Sequence, residues 1–188
     1  MFRAGLFVGV LVLVSINALA EPPTTQPITD FTKGTWSFSV AGAYAHSFDA
    51  SEARMETVAV GGGYYFLDHM AINIELAGFW VQQPGPDAQI AEANFLLRHH
   101  LLVVDRFSLM GDFGAGVSYA DVRTPYPEGL NFNFTIQTGL GATWRLQDNV
   151  YLMGGARYLH FSNRQMHGAE HNPSINAVEG YVGMLFTF

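Results

Sequence analysis

The residues of this chain whose types and spacing could carry catalysis are His160 and Ser162. They lie in the stretch GGARYLHFSN, residues 154–163, where every second residue would project from the same face of a β-strand. A histidine and a serine at this spacing can reach hydrogen-bond distance, which a base-activated serine nucleophile requires. The pattern is short and recurs by chance, so its meaning depends on the elements that position it.

The composition excludes several classes of function. The chain has 188 residues, no cysteine and a net charge of -7, which argues against disulfide or thiol chemistry and against a nucleic-acid partner. Charged residues make up 13% of the chain, against about 25% in a soluble domain, and aromatic residues make up 14%. Such a chain, with no long apolar segment after residue 20, is typical of a β-barrel in a membrane.

The first twenty residues predict a signal peptide. Arg3 precedes an apolar stretch that is too short for a comfortable transmembrane helix, and Ala18-Leu19-Ala20 forms a cleavage site. We therefore expect residues 1–20 to be removed on export. Residues 21–33 are rich in proline and threonine and predict a flexible periplasmic lead-in, so residues 34–188 remain as the single folded domain.

Eight segments alternate apolar and polar residues with a period of two, which predicts eight β-strands. Their lengths of 12 to 17 residues exceed an ordinary strand of about five or six and suit tilted strands that cross a bilayer. We therefore predict an all-β fold, an eight-stranded antiparallel outer-membrane β-barrel. The predicted segments are residues 34–46, 54–66, 70–81, 89–103, 106–120, 130–146, 150–163 and 174–188.

The connections and the polar faces agree with this barrel. Short turns alternate with longer loops, as in outer-membrane barrels, and a final strand ending in Phe188 resembles the outer-membrane assembly signal. Eight strands leave an interior that side chains can fill, so we expect a charged network in the lumen and no open channel. Its predicted members are Glu75, Glu92, Arg98, Asp112, Arg145 and Arg157.

The histidine–serine pair can now be placed on the barrel. His160 and Ser162 share a face with the apolar Leu152 and Tyr158, so they should point outward at the end of the seventh strand, before a long loop. Exposed polar groups in hydrocarbon cost several kcal/mol unless they are satisfied. A position near the outer-leaflet headgroups therefore favours chemistry at the membrane surface.

The closing part of the chain, from about residue 154 to the end, resembles the lipid A 3-O-deacylase (PagL) family. The resemblance lies in the strand ARYLHFSN, the loop sequence HNPSIN at residues 171–176, and the strand that follows. It implies an eight-stranded outer-membrane barrel that hydrolyses the ester-linked hydroxyacyl chain at position 3 of lipid A, without a metal or another cofactor. It also implies Ser162 as nucleophile, His160 as general base and Asn163 as a contributor to the oxyanion hole.

The third member of the site departs from the family pattern. The family has an acid where this chain has Asn176, which shares the outward parity of His160. An asparagine can orient an imidazole but supplies no negative charge to it. Glu170, in the preceding loop, is the second candidate for this role. Glu179 is the third, since its parity points it inward.

Two histidine patterns do not predict a metal site. Residues 167–171 read H-x-x-E-H, but zinc binding by that pattern needs a helix, and this stretch is a short loop between strands. His99 and His100 are adjacent in a strand and should face opposite sides.

Two functions of different class remain open. One is an esterase acting on lipid A of lipopolysaccharide, embedded in the outer membrane of a Gram-negative-type bacterium. The other is a non-catalytic small barrel of the OmpA, OmpX or OmpW sort, with a structural or adhesion role; a soluble lipocalin-like binder ranks third. The outward His160 and Ser162, with Asn163 beside them, favour the esterase. Oligomeric state stays open.

Overall fold

In a computed structural model, the described residues, 30–49, 51–163 and 173–188, form one closed antiparallel β-barrel. Each strand pairs with the next in the chain, and the first pairs with the last, which confirms the predicted eight-stranded barrel. Among these residues, no helix has the length and apolar character needed to span a membrane. The strands are β1 (Trp36–Ser47), β2 (Arg54–Leu67), β3 (Met70–Gln82), β4 (Ala88–Val104), β5 (Phe107–Thr124), β6 (Leu130–Gln147), β7 (Val150–Ser162) and β8 (Ile175–Thr187).

The largest difference from the predicted boundaries is at the end of β5, which continues to Thr124 instead of ending at Ala120. The pairing of β5 with β6 shifts register between Tyr119 and Thr124. The alternation continues here with reversed polarity, since Asp121 and Arg123 are exposed and Val122 packs against the interior apolar cluster, so the sequence of this stretch predicts a loop.

The three short turns predicted from the sequence are confirmed. Each contains one non-glycine residue with positive φ: His69 at 65°, Asp105 at 50° and Asn149 at 63°. Histidine, aspartate and asparagine are the residue types that tolerate this backbone conformation best after glycine. These turns lie at one end of the barrel, and the long loops lie at the other.

The barrel interior contains the predicted charged network. Arg98 donates two hydrogen bonds of 2.8 Å to Asp112, and Arg157 donates bonds of 2.9 and 3.2 Å to Glu75. Arg157 also lies 3.4 Å from Asp112 and 4.0 Å from Glu179. All five side chains are buried. Buried charges persist where they are paired in this way, and here they fill the lumen.

The short-turn end is closed by a residue from the predicted lead-in. Phe31 is 1% exposed and its ring stacks on His100 with centroids 3.7 Å apart, between Tyr65 and Tyr151. Residues 30–33, expected to be a flexible segment, are therefore part of the folded unit, because Phe31 buries its ring in the barrel mouth. The predicted signal peptide and most of the lead-in lie outside the described residues.

Candidate functional site

The end of β7 and the start of β8 place three of the predicted site residues, His160, Ser162 and Asn176, on the outer surface. In the register of these strands, His160 lies directly opposite Asn176. The side chains of His160, Ser162 and Asn176 are half-buried, whereas the alternate residues of β7, Leu159 and Phe161, are buried in the barrel. This alternation confirms that His160 and Ser162 point outward.

His160 and Asn176 are joined by a hydrogen bond across the two strands. His160 Nδ1 lies 2.8 Å from Asn176 Oδ1, which also accepts a hydrogen bond of 2.5 Å from the hydroxyl of Tyr158. Asn176 Nδ2 donates to Ser174 Oγ at 3.2 Å. Asn176, the first-ranked candidate, is therefore a hydrogen-bond partner of the imidazole, and its catalytic role stays a prediction.

Asp49, which no sequence pattern singled out, lies against Asn176. It lies in the loop after β1, and its Oδ2 accepts hydrogen bonds from the backbone N of Asn176 at 2.5 Å and from Asn176 Nδ2 at 2.9 Å. Barrel closure explains this position, since β1 pairs with β8 and Ser47 lies opposite Ala177. Counting the closing register outward from the last strand would have brought this loop beside Asn176.

The Asp49 carboxylate is held by several donors. Ser51 donates to Oδ1 through its backbone N at 3.0 Å and through its hydroxyl at 2.5 Å. Partial desolvation raises the pKa of Asp49, but the hydrogen bonds from Ser51 and Asn176 outweigh it and hold the pKa below the usual range. Asp49 is therefore an anion at neutral pH.

Asn163 differs from its predicted position. The expected position is beside His160 and Ser162 on the lipid-facing surface, but its side chain is 1% exposed. Alternation along the chain explains the difference, because a residue next to the outward Ser162 takes the opposite side. The expectation of an exposed trio is wrong for this member.

Of the two other candidates for the third member of the site, Glu179 is among the described residues and Glu170 is not. Glu179 is 3% exposed and faces the lumen, where it accepts a hydrogen bond of 3.3 Å from Thr57, so the barrel wall separates it from His160. Glu170 and the H-x-x-E-H stretch lie within residues 164–172, outside the described residues.

The adjacent histidines of β4, His99 and His100, face opposite sides of the barrel wall. His99 is exposed, while His100 is buried and bonded to Tyr65 at 2.9 Å and Ser108 at 2.5 Å. Across the described ranges, no group of three or more histidine, aspartate or glutamate side chains is arranged to hold a metal ion.

A shallow depression lies on the outer wall between the site and the short-turn end. Its volume is about 490 Å³, and it runs over the surface where β7, β8 and β1 meet. Gly180 forms part of its floor and pairs with Ala156 on one side and Tyr44 on the other. A Cβ atom added at Gly180 would meet no atom within 4 Å. The depression therefore exists because this outward position has no side chain.

Comparison with solved structures agrees with the architecture. Neisserial surface protein A matches with a TM-score of 0.62 and 15% identity, covering 82% of this chain and 96% of that chain. OprG, an outer membrane protein of Pseudomonas aeruginosa, matches with a TM-score of 0.58 and 12% identity, covering 86% and 99%. The outer membrane enzyme PagL matches with a TM-score of 0.55 and 13% identity, covering 80% and 98%. At identities this low, the structural matches show that the barrel fold is shared and nothing more.

Sequence comparison identifies the family. No functionally curated protein sequence is significantly similar to the chain. The family model for lipid A 3-O-deacylase (PagL) matches residues 76–185, a range that contains His160, Ser162 and Asn176. Since this range is more than half of the chain, the protein is a barrel of the Gram-negative outer membrane that belongs to the lipid A 3-O-deacylase (PagL) family.

Proposed function

We propose that this protein is a serine esterase that removes the 3-O-linked hydroxyacyl chain from lipid A. The observation that carries the proposal is the 2.8 Å hydrogen bond between His160 and Asn176 on the outer surface, with Ser162 on the same face of β7. Membership of the deacylase family supports the substrate class. Lipid A lies in the outer leaflet, and its headgroup would meet the barrel at the level of this site.

The proposed reaction follows the chemistry of a serine esterase. His160 Nε2 accepts the hydroxyl proton of Ser162 while Oγ bonds to the acyl carbonyl carbon. The backbone N–H of Asn163 helps to stabilise the oxyanion. Collapse of the tetrahedral intermediate breaks the bond between the acyl carbon and the 3-oxygen of lipid A. This oxygen leaves with the proton from His160. Water then cleaves the acyl-serine ester, again with His160 as base, and releases the fatty acid.

The test is the mass spectrum of lipid A from a Gram-negative host that expresses the protein, compared with the same host carrying an empty vector. We expect a new species that lacks one 3-hydroxyacyl group. Surface exposure and heat-resistant folding of the barrel in the outer membrane are checked in parallel. Unchanged lipid A beside a folded barrel contradicts the esterase and supports the alternative, a non-catalytic small barrel.

The depression on the outer wall predicts where the cleaved acyl chain lies. Gly180 is four residues from Asn176 along β8, about 13 Å at the usual rise of a strand. We expect Gly180→Leu to lower deacylation of a long-chain substrate by about 10-fold, because a leucine side chain occupies the space of several methylene groups. Hydrolysis of a short-chain ester by purified protein should change by less than about twofold, since a short chain does not reach this position.

Gly78 offers a matched control for this substitution. It also points outward with no atom within 4 Å of an added Cβ, but it lies on β3, away from the site. Gly78→Leu should leave the rates on both substrates unaltered. Equal losses in the two variants would show that the effect comes from the altered barrel surface in general, and would remove the depression from the proposed binding surface.

A further inference from the structure

We propose that Asp49 is a positioning residue of this site, which fixes the amide orientation of Asn176 and thereby the tautomer of His160. The inference rests on the proposed esterase function and adds to it a residue from the opposite end of the chain. It also assigns a source of negative charge to a site whose third position is a neutral amide. Asp49 touches neither Ser162 nor the acyl group in this scheme and acts through Asn176.

The first step concerns the amide group of Asn176. Its oxygen and nitrogen have similar shapes, and their placement is decided by the hydrogen-bond partners. An ionised carboxylate only accepts hydrogen bonds, so the atom 2.9 Å from Asp49 Oδ2 must be the NH₂ group. Asp49 cannot rotate away freely, because the backbone N of Asn176 and the Ser51 hydroxyl hold its two oxygens. The amide oxygen is therefore directed to the other side, toward His160.

The second step concerns the imidazole. With Asn176 Oδ1 as an acceptor 2.8 Å from His160 Nδ1, a neutral imidazole must carry its proton on Nδ1. Nε2 is then the basic nitrogen, as the proposed proton transfer from Ser162 requires. The Tyr158 hydroxyl, which can donate or accept, is compatible with this arrangement and donates to the same Oδ1.

The third step concerns charge. The acid of the family is replaced here by two residues, an amide on β8 and a carboxylate in the β1–β2 loop. Asp49 lies one hydrogen-bonded residue away from the imidazole, so it polarises the Asn176 amide toward His160. A glutamate at position 176 would lie against Asp49, and the two carboxylates would repel each other. The two positions should therefore depend on each other in a measurable way.

Kinetics of folded, full-length variants test this dependence. We expect Asp49→Ala to lower kcat by about 10- to 100-fold with little change in KM, because the amide becomes free to invert and the charge is lost. In the Asn176→Glu background, the same Asp49→Ala change should raise kcat above that of Asn176→Glu alone. The glutamate accepts the hydrogen bond from Nδ1–H directly, and without Asp49 it no longer faces a second carboxylate. Ser51→Ala, which removes a donor to the other carboxylate oxygen, should cost less than about threefold. Equal losses from Asp49→Ala in both backgrounds would overturn the proposal and make Asp49 a loop anchor.

A second measurement does not depend on activity. Nitrogen-15 NMR of the folded barrel in detergent, with the His160 signals assigned from a His160→Gln spectrum, reports which ring nitrogen carries the proton. We expect the Nδ1–H tautomer in the natural sequence and a mixture of tautomers in Asp49→Ala. An unchanged tautomer would overturn the role of Asp49. If the natural protein does not cleave lipid A, the proposed function fails, and the NMR result still decides whether Asp49 sets the tautomer.

Discussion

Replacing Ser162 by alanine should abolish lipid A deacylation while the barrel still assembles in the outer membrane. The substitution removes the oxygen that attacks the acyl carbon in the first step of the scheme, and such losses lower kcat by about 10⁴-fold or more. Ser162 is half-buried at the end of β7, so the loss of its hydroxyl leaves no cavity in the barrel interior. Mass spectrometry of lipid A from cells with equal amounts of folded protein gives the measurement.

A serine elsewhere in the wall controls for unspecific effects of this change. Ser118 lies on β5 with its side chain directed into the barrel, where its hydroxyl is 3.5 Å from a backbone carbonyl oxygen of β6. Ser118→Ala should keep the deacylation rate within about twofold, because so long a hydrogen bond contributes little. Continued loss of the hydroxyacyl group in Ser162→Ala would exclude Ser162 as the nucleophile.

The barrel itself could be predicted from the sequence because its strands follow simple rules. A period of two assigns each residue to the lumen or the lipid, and a chain of paired neighbours needs only short turns between them. The same parity placed His160 and Asn176 on the outer surface. Local alternation was enough for their orientation, whereas their pairing depends on the register of β7 and β8 across a long loop.

Asp49 and Phe31 could not be predicted by the same rule, because their positions depend on contacts between the two ends of the chain. The Asp49 position follows from the register that closes β1 on β8, which no single segment contains. Phe31 precedes the first strand, and its burial depends on the ring-shaped mouth formed by several strands. Asn163 differs for another reason, since its resemblance to a family residue predicts a place on the outer surface, whereas its parity predicts the opposite side.

Replacing Arg157 by methionine should lower the free energy of unfolding by about 3–5 kcal/mol, the largest stability effect we expect from one side chain. Arg157 is paired with Glu75 through two hydrogen bonds and also contacts Asp112 and Glu179 in the lumen. Its guanidinium carbon lies 4.4 Å from the ring centroid of Tyr181. Methionine preserves much of the side-chain volume but leaves buried carboxylates without their cation. Urea unfolding in lipid vesicles, followed by tryptophan fluorescence, measures the loss.

The reason for this loss can be separated from a simple loss of packing. Adding Glu75→Gln to Arg157→Met should recover part of the lost stability, because the neutral amide needs no cation in the lumen. Arg54→Met, which removes an exposed guanidinium at the start of β2, should change the free energy of unfolding by less than about 0.5 kcal/mol. Further destabilisation by Glu75→Gln in the double variant would contradict the pairing explanation. Because Arg157 faces the lumen and His160 faces outward on the same strand, deacylation per folded barrel should stay unchanged in Arg157→Met.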